Sequence, residues 1–327
     1  MSSLFKKPAD LSVSHNVKAL VYGQPGVGKS SLALSAPQPV LLDFDGGIQR
    51  VNGAFQVPTL QVENWPQVNE ALSEIESGGV PCKTIVVDTA SKMLDYMGAD
   101  IIKNNPKYGK ADGSLTLQGF GVRKSMFINF LRRVALMGKN VVFVAHEREE
   151  KDGEMKVIRP EIGGSSAGDL IKELDLVGYM QSFSFEVTKN GRHEIVVDRT
   201  VSWSPTQKFY GKNTCNLPAV HSVETNIDAD GNVIGENNFL TLVFEQFEQN
   251  LKNTAAIRAK YDKLLESFSK GIEAVKDAKT ANEVYAKIED YKSHLWDSKL
   301  RTEKMLAAKA AALGLKFNAI DDKYEAA

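Results

Sequence analysis

A glycine-rich segment near the start of the chain has the residues of a phosphate-binding loop. Residues 23–30 read G-Q-P-G-V-G-K-S and match the GxxxxGK[ST] pattern. In this pattern glycines let backbone N–H groups face phosphate oxygens, the lysine reaches the β- and γ-phosphates, and the hydroxyl residue holds Mg²⁺. We therefore predict that ATP with Mg²⁺ is bound, and that Lys29 is also catalytic. The predicted nucleotide-binding residues are Gly23, Pro25, Gly26, Val27, Gly28, Lys29, Ser30 and Ser31.

A carboxylate for the metal side follows another apolar segment. Ile85, Val86 and Val87 lead to Asp88, at the point where a buried strand would end. A carboxylate there can hold Mg²⁺ together with Ser30, either directly or through water. An aspartate at the start of a loop is often only a cap, but its combination with the phosphate loop favours the metal site. We therefore predict that Ser30 and Asp88 are the Mg²⁺ ligands.

Two further positions are candidates for acting on the attacking water or on the γ-phosphate. Asp43 and Asp45 end the apolar segment 40–45, and Asp45 is the first choice for orienting or deprotonating water because it lies further out. Both could instead cap the turn at 46–47, and the residues alone favour neither interpretation. His146 ends the segment 141–146 and is placed to sense the γ-phosphate, although a lone histidine at a strand end is more often structural.

The elements that must position these side chains are predicted by apolar periodicity. Apolar segments read as buried strands at 17–22, 40–45, 84–88, 141–146 and 174–180. Helical patterns separate them at 31–34, 64–77, 91–103 and 120–137. This alternation predicts an α/β fold with a mainly parallel sheet flanked by helices, and the strand–loop–helix context argues against a chance glycine-rich turn at 23–30. Alternating residues on both sides of Asn190-Gly191 predict an antiparallel hairpin extension.

The composition changes near residue 250. The segment beyond Leu251 is rich in Lys, Glu and Ala and reads as helical. Its charged residues are typical of solvated helix faces. We therefore predict a P-loop core at residues 1–250 and a helical C-terminal extension at residues 251–327.

Charge and cysteine content limit the classes of function. The formal net charge is −1, so any binding to nucleic acid must use local basic patches. The two cysteines, Cys82 and Cys215, have no metal-ligand spacing, which is typical of proteins from a reducing compartment. No apolar run is long enough to span a membrane, and the N-terminus lacks an apolar signal core. These features predict a cytoplasmic protein with no membrane partner.

Taken in order, these motifs resemble the core of the RecA/RadA recombinases over roughly residues 15–220. They are still more similar to short RecA-like ATPases of bacteriophages that act as single-strand annealing proteins. The shared features are the phosphate loop, D-F-D at 43–45, V-V-D-T at 86–89 and V-A-H-E at 144–147. The resemblance implies a RecA-like P-loop NTPase core in which Asp45 is the catalytic base and His146 the catalytic sensor. In the recombinases that base is a glutamate, one methylene longer than Asp45.

The resemblance also implies that single-stranded DNA contacts two loops, one after the helix that follows the third strand and one after the fourth strand. Cations in these loops would track phosphates, and a tyrosine would stack on a base. Charged loops are often only solvated, and Asp152-Gly153 could turn the second loop into a hairpin. The predicted DNA-binding residues are Lys103, Lys107, Tyr108, Lys110, Arg148, Lys151, Lys156, Arg159, Gly163 and Gly164.

RecA-like assemblies use basic residues that reach into the ATP site of a neighbouring subunit, and Lys208 and Lys212 are the candidates for such trans-acting fingers. The favoured function is a DNA-dependent ATPase of the recombinase type. It would bind single-stranded DNA as a homo-oligomer, ring or filament, and promote annealing of complementary strands, with a single-strand-binding protein as a partner. One alternative is a ring helicase or DNA motor on the same core. Another is a nucleotide-gated DNA-binding module with little hydrolysis, which the shorter Asp45 suggests.

Overall fold

The computed structural model describes residues 16–163, 166–189, 192–224, 228, 232–288 and 298–326. Contacts among these residues separate two compact units, one that ends at Glu248 and one that begins at Gln249. The first unit contains the phosphate loop and every predicted site residue that is described. The predicted hairpin turn at 190–191 lies outside the described residues.

The first unit is built on one large sheet. Its strands are β1 (Lys18–Gly23), β2 (Pro39–Asp43), β3 (Thr59–Gln61), β4 (Thr84–Asp88), β5 (Asn140–Asp152), β6 (Met155–Pro160), β7 (Leu176–Lys189), β8 (Arg192–Ser202), β9 (Lys212–Asn213) and β10 (Val220–Val223). Among the described residues the spatial order is β10-β8-β7-β1-β5-β4-β2-β3, with β6 paired to β5 and β9 to β7. Neighbours from β7 to β3 in this order run parallel, whereas β8 pairs antiparallel with β7 and β10.

Helices flank this sheet. They are α1 (Lys29–Ala33), α2 (Trp65–Glu76), α3 (Ala90–Asn104), α4 (Leu117–Leu136) and α5 (Ser166–Glu173). Helices α2, α3 and α4 cover one face, where Val68, Met93 and Phe130 join Leu42 and Phe143 in a continuous buried core. The predicted α/β fold class is confirmed: a mainly parallel sheet that carries the phosphate loop, flanking helices and an antiparallel hairpin extension.

Local sequence signals explain where the helices begin and end. The Asn64 side chain caps α2 by accepting a hydrogen bond from the Gln67 N–H, and Gly78 follows the helix with a φ of +82°. Thr116 caps α4 in the same way, because its hydroxyl accepts from the Gly119 N–H. Caps of this kind fix the register of α2 and α4 on the sheet.

One strand of the sheet was not predicted, and another is longer than predicted and forms the hairpin that the sequence left open at Asp152-Gly153. Strand β3 has three residues and lies at the sheet edge, so its alternation is too short to detect. Strand β5 does not end at His146 but continues to Asp152 and pairs with β6, with Gly153 at a φ of +64° in the turn. Ladder hydrogen bonds and ion pairs hold this hairpin instead of apolar burial. The second predicted DNA loop is therefore a hairpin.

The second unit is mostly helical. Helix α6 (Phe239–Glu273) runs into it, followed by α7 (Ala278–Tyr285), α8 (Ser298–Ala312) and a hairpin of β11 (Leu315–Asn318) and β12 (Lys323–Ala326). Its buried core includes Phe268, Leu306 and Tyr324. The predicted C-terminal helices are confirmed, and the short hairpin is an addition to them. None of the described helices has the length and apolar content that a bilayer crossing requires.

Gly178 in β7 marks a place where the sheet has no room for a larger residue. A Cβ atom there would lie 2.6 Å from the side chains of both Trp203 and Val201. We expect Gly178→Ala to lower the free energy of unfolding of the first unit by about 1–3 kcal/mol, because overpacking forces these neighbours to move.

The matched control is Gly121→Ala on α4. A Cβ atom at Gly121 would meet no atom within 4 Å, and alanine favours a helix interior over glycine by about 1 kcal/mol. Urea unfolding followed by tryptophan fluorescence would compare the two variants with the natural chain. Equal stability of both variants would contradict the packing at Gly178.

Candidate nucleotide-binding site

The phosphate loop connects β1 to α1. Each of its glycines is required, but for different structural reasons. Gly26 and Gly28 have φ values of +80° and +105°, a region that side chains with a Cβ rarely adopt. Gly23 has an ordinary φ but lies against β7, since a Cβ atom there would be 2.3 Å from the Met180 carbonyl oxygen. The loop geometry thus requires both glycines of the motif and also Gly26 between them.

The Lys29 side chain is folded back onto this loop. It is 5% exposed, and its ammonium donates hydrogen bonds to the carbonyl oxygens of Gly23 at 3.0 Å and Gln24 at 2.7 Å. Burial lowers the pKa of Lys29, while the nearby carboxylates of Asp88 and Glu147 oppose this change. The ammonium is therefore held within the loop, where a triphosphate would meet it.

The strand register brings several polar residues to one face of the sheet. Asp43 pairs with Asp88, and Asp88 pairs with Val144 on the next strand. Because side chains alternate along a strand, His146 lies on the same face as Val144. The Ser30 hydroxyl at the start of α1 donates a hydrogen bond of 2.6 Å to Asp88 Oδ2. This face therefore carries α1 and is opposite to the face covered by α2, α3 and α4.

The Asp88 carboxyl group lies in an environment suited to a cation. Burial raises its pKa, the Ser30 hydrogen bond lowers it, and the charges of Asp43 and Asp45 raise it further. Magnesium prefers oxygen ligands and commonly takes one or two protein side chains, with phosphate and water supplying the rest. Ser30 and Asp88 fit that donor set. Among the described residues no group of three His, Cys, Asp or Glu side chains could hold a metal ion alone.

The two aspartates after β2 have different surroundings. Asp43 is buried and accepts hydrogen bonds from the backbone N–H groups of Asp45, Gly47 and Ile48. It therefore caps the turn, which is one of the alternatives that the sequence left open. The side chain of Asp45 is 36% exposed, and its Oδ2 lies 3.8 Å from the guanidinium of Arg50. Asp45 is thus the carboxylate of this pair that a water molecule can reach.

His146 lies beside the phosphate loop, because its strand position pairs with Gly23. Its Nδ1 atom is buried and has no hydrogen-bond partner among the described residues. Its backbone carbonyl accepts a hydrogen bond from the Glu161 N–H at 2.7 Å. A buried imidazole nitrogen without a partner is well suited to contact an oxygen of a bound phosphate.

A cavity of about 600 Å³ opens beside Gly28 and Ser31, a size typical of sites for small ligands and cofactors. Arg199 on β8 donates from Nε to the Val27 carbonyl at 3.1 Å, and Asn237 donates from Nδ2 to the Ser31 carbonyl at 2.9 Å. Both residues line the cavity. The sequence prediction missed them, because no local pattern links them to a loop about 170 to 200 residues earlier.

Comparison with known families agrees with this geometry. The model of the family AAA_24, described as an AAA domain, matches residues 15–215, which include β1, the phosphate loop, Asp88 and His146. The chain belongs to this AAA domain family. The matched range also includes Arg199 but ends before Asn237.

Individual proteins similar to this AAA domain were also found. The SPbeta prophage-derived uncharacterized protein YorG of Bacillus subtilis (strain 168) is 24% identical over 166 residues, which are 50% of this chain and 50% of YorG. The chain thus spans about half the length of this curated relative. A KaiC-like protein from Pyrococcus horikoshii OT3 is 11% identical with a TM-score of 0.31, covering 57% of this chain and 77% of that chain. The flagellar accessory protein FlaH of Methanocaldococcus jannaschii is 11% identical with a TM-score of 0.31, covering 63% and 85%.

The first predicted DNA loop of the AAA domain presents cations to solvent. Lys103, Lys107 and Lys110 are exposed, and Tyr108 is half-buried. The ammonium of Lys107 lies 5.2 Å from the centroid of the Tyr108 ring, which is within the range of a cation–π contact. One face of the ring is therefore already occupied in this arrangement.

The cations of the hairpin β5–β6 are mostly paired within the hairpin. Arg148 and Arg159 both form ion pairs with Glu150, and Lys156 pairs with Glu149 at 2.9 Å. Lys151 is exposed. Most of the positive charge predicted for DNA on this hairpin is therefore offset by neighbouring carboxylates.

The remaining predicted residues are spread around the core. Gly163 is exposed and its carbonyl accepts a hydrogen bond from Arg123, while Gly164 lies outside the described residues. Lys208 is exposed, in a segment whose backbone bonds to β6. Lys212 donates from Nζ to the carbonyl oxygens of Ile171 at 3.1 Å and Lys172 at 3.0 Å. The Lys212 ammonium therefore donates hydrogen bonds to carbonyl groups at the C-terminal end of α5 in its own chain.

Proposed function

We propose that this chain is an ATP-hydrolysing protein that binds single-stranded DNA as a homo-oligomer and promotes annealing of complementary strands in phage-type recombination. The observation that carries the nucleotide part is the hydrogen bond between Ser30 and Asp88, directly beside the phosphate loop. Membership in the AAA domain family supports it. Similarity to a prophage-derived protein supports the phage context, in which the chain would act in the host cytoplasm.

In this proposal each residue of the site has a distinct task. The loop N–H groups and Lys29 hold the phosphates, and Ser30 with Asp88 holds magnesium, which offsets phosphate charge when it is bound. Asp45 orients the attacking water, and His146 contacts the γ-phosphate through its imidazole. The cavity beside Gly28 accommodates the nucleoside.

The DNA part of the proposal rests on exposed cations and on the resemblance to annealing proteins. Lys103, Lys107, Lys110 and Lys151 are exposed and can follow a phosphate backbone. Annealing itself is base pairing and needs no catalytic residue, so ATP turnover would reset the assembly. Lys208 and Lys212 remain candidates for contacts to a neighbouring subunit, and a single-strand-binding protein remains the proposed partner.

The test compares ATP hydrolysis with and without single-stranded DNA, beside electron micrographs of the same mixtures and a strand-annealing assay. We expect DNA to stimulate hydrolysis, to induce assembly and to be annealed. Absence of both stimulation and DNA-dependent assembly would contradict the proposal. Directional strand separation fuelled by ATP would instead favour a motor on the same core.

A second candidate is a DNA-binding module in which the nucleotide joins subunits with little hydrolysis. The surroundings of Asp45 favour it, because this side chain is short, partly exposed and close to Arg50. Turnover equal to that of an inactive phosphate-loop variant, with annealing intact, would select this candidate.

Replacement of Asp45 separates binding from hydrolysis. We expect Asp45→Asn to reduce ATP hydrolysis by about 10²- to 10⁴-fold, because the amide cannot accept a proton from water. Binding of a fluorescent ATP analogue should be retained, since Asp45 is not part of the loop. Asp321→Asn, an exposed position in the second unit, is the control and should hydrolyse normally. Normal hydrolysis by Asp45→Asn would show that another group orients the attacking water.

A further inference from the structure

A second cavity lies away from the nucleotide site, between α3, α4 and the loop that joins them. Its volume is about 410 Å³, which is also within the range of small-ligand sites. Helices α3 and α4 cover the sheet face opposite to α1, so this cavity is separate from the phosphate loop. We call it the junction pocket, lined by Asp95, Gly98, Ser114, Phe120, Arg123 and Gly163.

The floor of the junction pocket combines an aromatic ring with a buried guanidinium. Arg123 is 6% exposed, and its guanidinium carbon lies 4.8 Å from the centroid of the Phe120 ring. Arg123 Nη2 donates to the Gly163 carbonyl at 3.3 Å. Burial lowers the pKa of Arg123, and the charge of Asp95 opposes this effect. A planar cation beside an aromatic ring, with a carboxylate nearby, is the kind of surface on which unstacked bases are held.

The walls and rim of the junction pocket suit an extended nucleic-acid strand. A Cβ atom at Gly163 would meet no atom within 4 Å, so that wall is open. On the rim, the Lys110 N–H donates a hydrogen bond to the Ser114 carbonyl at 2.8 Å. This bond holds the backbone of an exposed lysine next to a residue that lines the pocket. Lys103 lies on the adjacent turn of α3. Asp112 also bonds to Ser114 and partly offsets this positive charge.

We propose that the junction pocket accepts one unpaired base of single-stranded DNA, with the flanking phosphates on the lysines of the rim. This inference rests on the proposed function and specifies where a base is held. The partly exposed Phe120 ring, backed by the buried Arg123 guanidinium, recognises the π-face of the base, and Asp95 with Ser114 offers polar partners to its edge. Stacking of this kind tolerates any base.

Two chain segments that form walls of the junction pocket begin near residues of the nucleotide site. Helix α3 begins at Ala90, two residues after Asp88. Gly163 follows Glu161, whose N–H bonds to the His146 carbonyl. A base held between these walls would therefore lie against segments that lead to Asp88 and to His146.

The test is Ala99→Leu, which fills the pocket mouth from α3 without adding an aromatic surface. Ala99 is exposed and lines the pocket, and leucine is a good helix former, so the fold should be retained and can be checked by thermal unfolding. With Mg-ATP present, we expect binding to an oligo(dT) strand to weaken by about tenfold. Binding to an abasic strand of equal length should not change, because that strand keeps its phosphates but has no bases.

Controls distinguish failure of this inference from failure of the proposed function. Arg132→Ala removes an exposed cation from α4, the helix that carries Arg123, at a position outside the pocket, and should preserve the preference for oligo(dT) over the abasic strand. Arg123→Lys keeps the charge but loses the planar guanidinium, and should reduce that preference. If the natural chain binds both strands equally, or Ala99→Leu keeps its preference, the junction pocket is not a base site. If the natural chain binds neither strand, the proposed function itself fails.

Discussion

Replacement of Lys29 with alanine is expected to lower the rate of ATP hydrolysis by about 10²- to 10³-fold, the effect of removing one preorganised charge-stabilising donor. The Lys29 ammonium is buried and bonded to the carbonyl oxygens of Gly23 and Gln24. A phosphate that enters the loop meets this charge without having to order a flexible side chain. Steady-state phosphate release measures the rate, and binding of an ATP analogue should weaken in parallel.

The matched control for Lys29 is Lys92→Ala. Lys92 is exposed on α3 and its replacement removes the same charge from outside the loop. The Lys92 variant should hydrolyse ATP at the normal rate. Hydrolysis by Lys29→Ala at the rate of the natural chain would refute the assignment of the loop as the phosphate site.

Replacement of Asp88 with asparagine is expected to reduce hydrolysis by about 10²-fold or more, since metal ions supply several kcal/mol of charge stabilisation in such sites. Asparagine keeps a hydrogen-bond acceptor for Ser30 but removes the negative charge. When the residual rate is titrated with magnesium, the variant should need a higher metal concentration than the natural chain to reach half of its maximal rate. A rate and magnesium dependence equal to those of the natural chain would exclude Asp88 as a ligand.

The same substitution should stabilise the protein when nucleotide and magnesium are absent. Burial raises the pKa of Asp88 above its ordinary value of 3.8, so the folded state favours the neutral acid. The stability that this group contributes is present below that ordinary pKa and is lost as the pH rises through the folded pKa. At neutral pH the buried charge therefore destabilises the fold. We expect Asp88→Asn to have the higher Tm at neutral pH and no advantage at acidic pH.

The parts of the site that follow from short-range pattern were predictable. The glycine spacing of the loop reflects the backbone angles of Gly26 and Gly28, and these are required locally. The position of Asp88 at the end of an apolar segment reflects the carboxyl edge of a parallel sheet. Both signals lie within a few consecutive residues, so they can be recognised from the sequence alone.

The parts that depend on pairing between distant segments were not predictable. Arg199 and Asn237 reach the loop only because β8 and the start of α6 come beside it in the folded chain. For the charged residues after His146 the sequence left a loop and a hairpin open, because ion pairs, which give no hydrophobic period, hold this hairpin. Arg123 lies on an ordinary amphipathic pattern, and its burial beside Phe120 depends on the loop that covers it.

Strand β5 is one continuous element from the sheet centre to the tip of the hairpin. The seven residues from His146 to Asp152 extend over about 20 Å at the usual rise of a strand. Since β5 contains no break in this stretch, it can act as a stiff lever with its pivot beside Gly23 of the phosphate loop. A tilt of a few degrees at His146 would move the hairpin tip by ångströms, so a small change beside the loop would be enlarged at the tip.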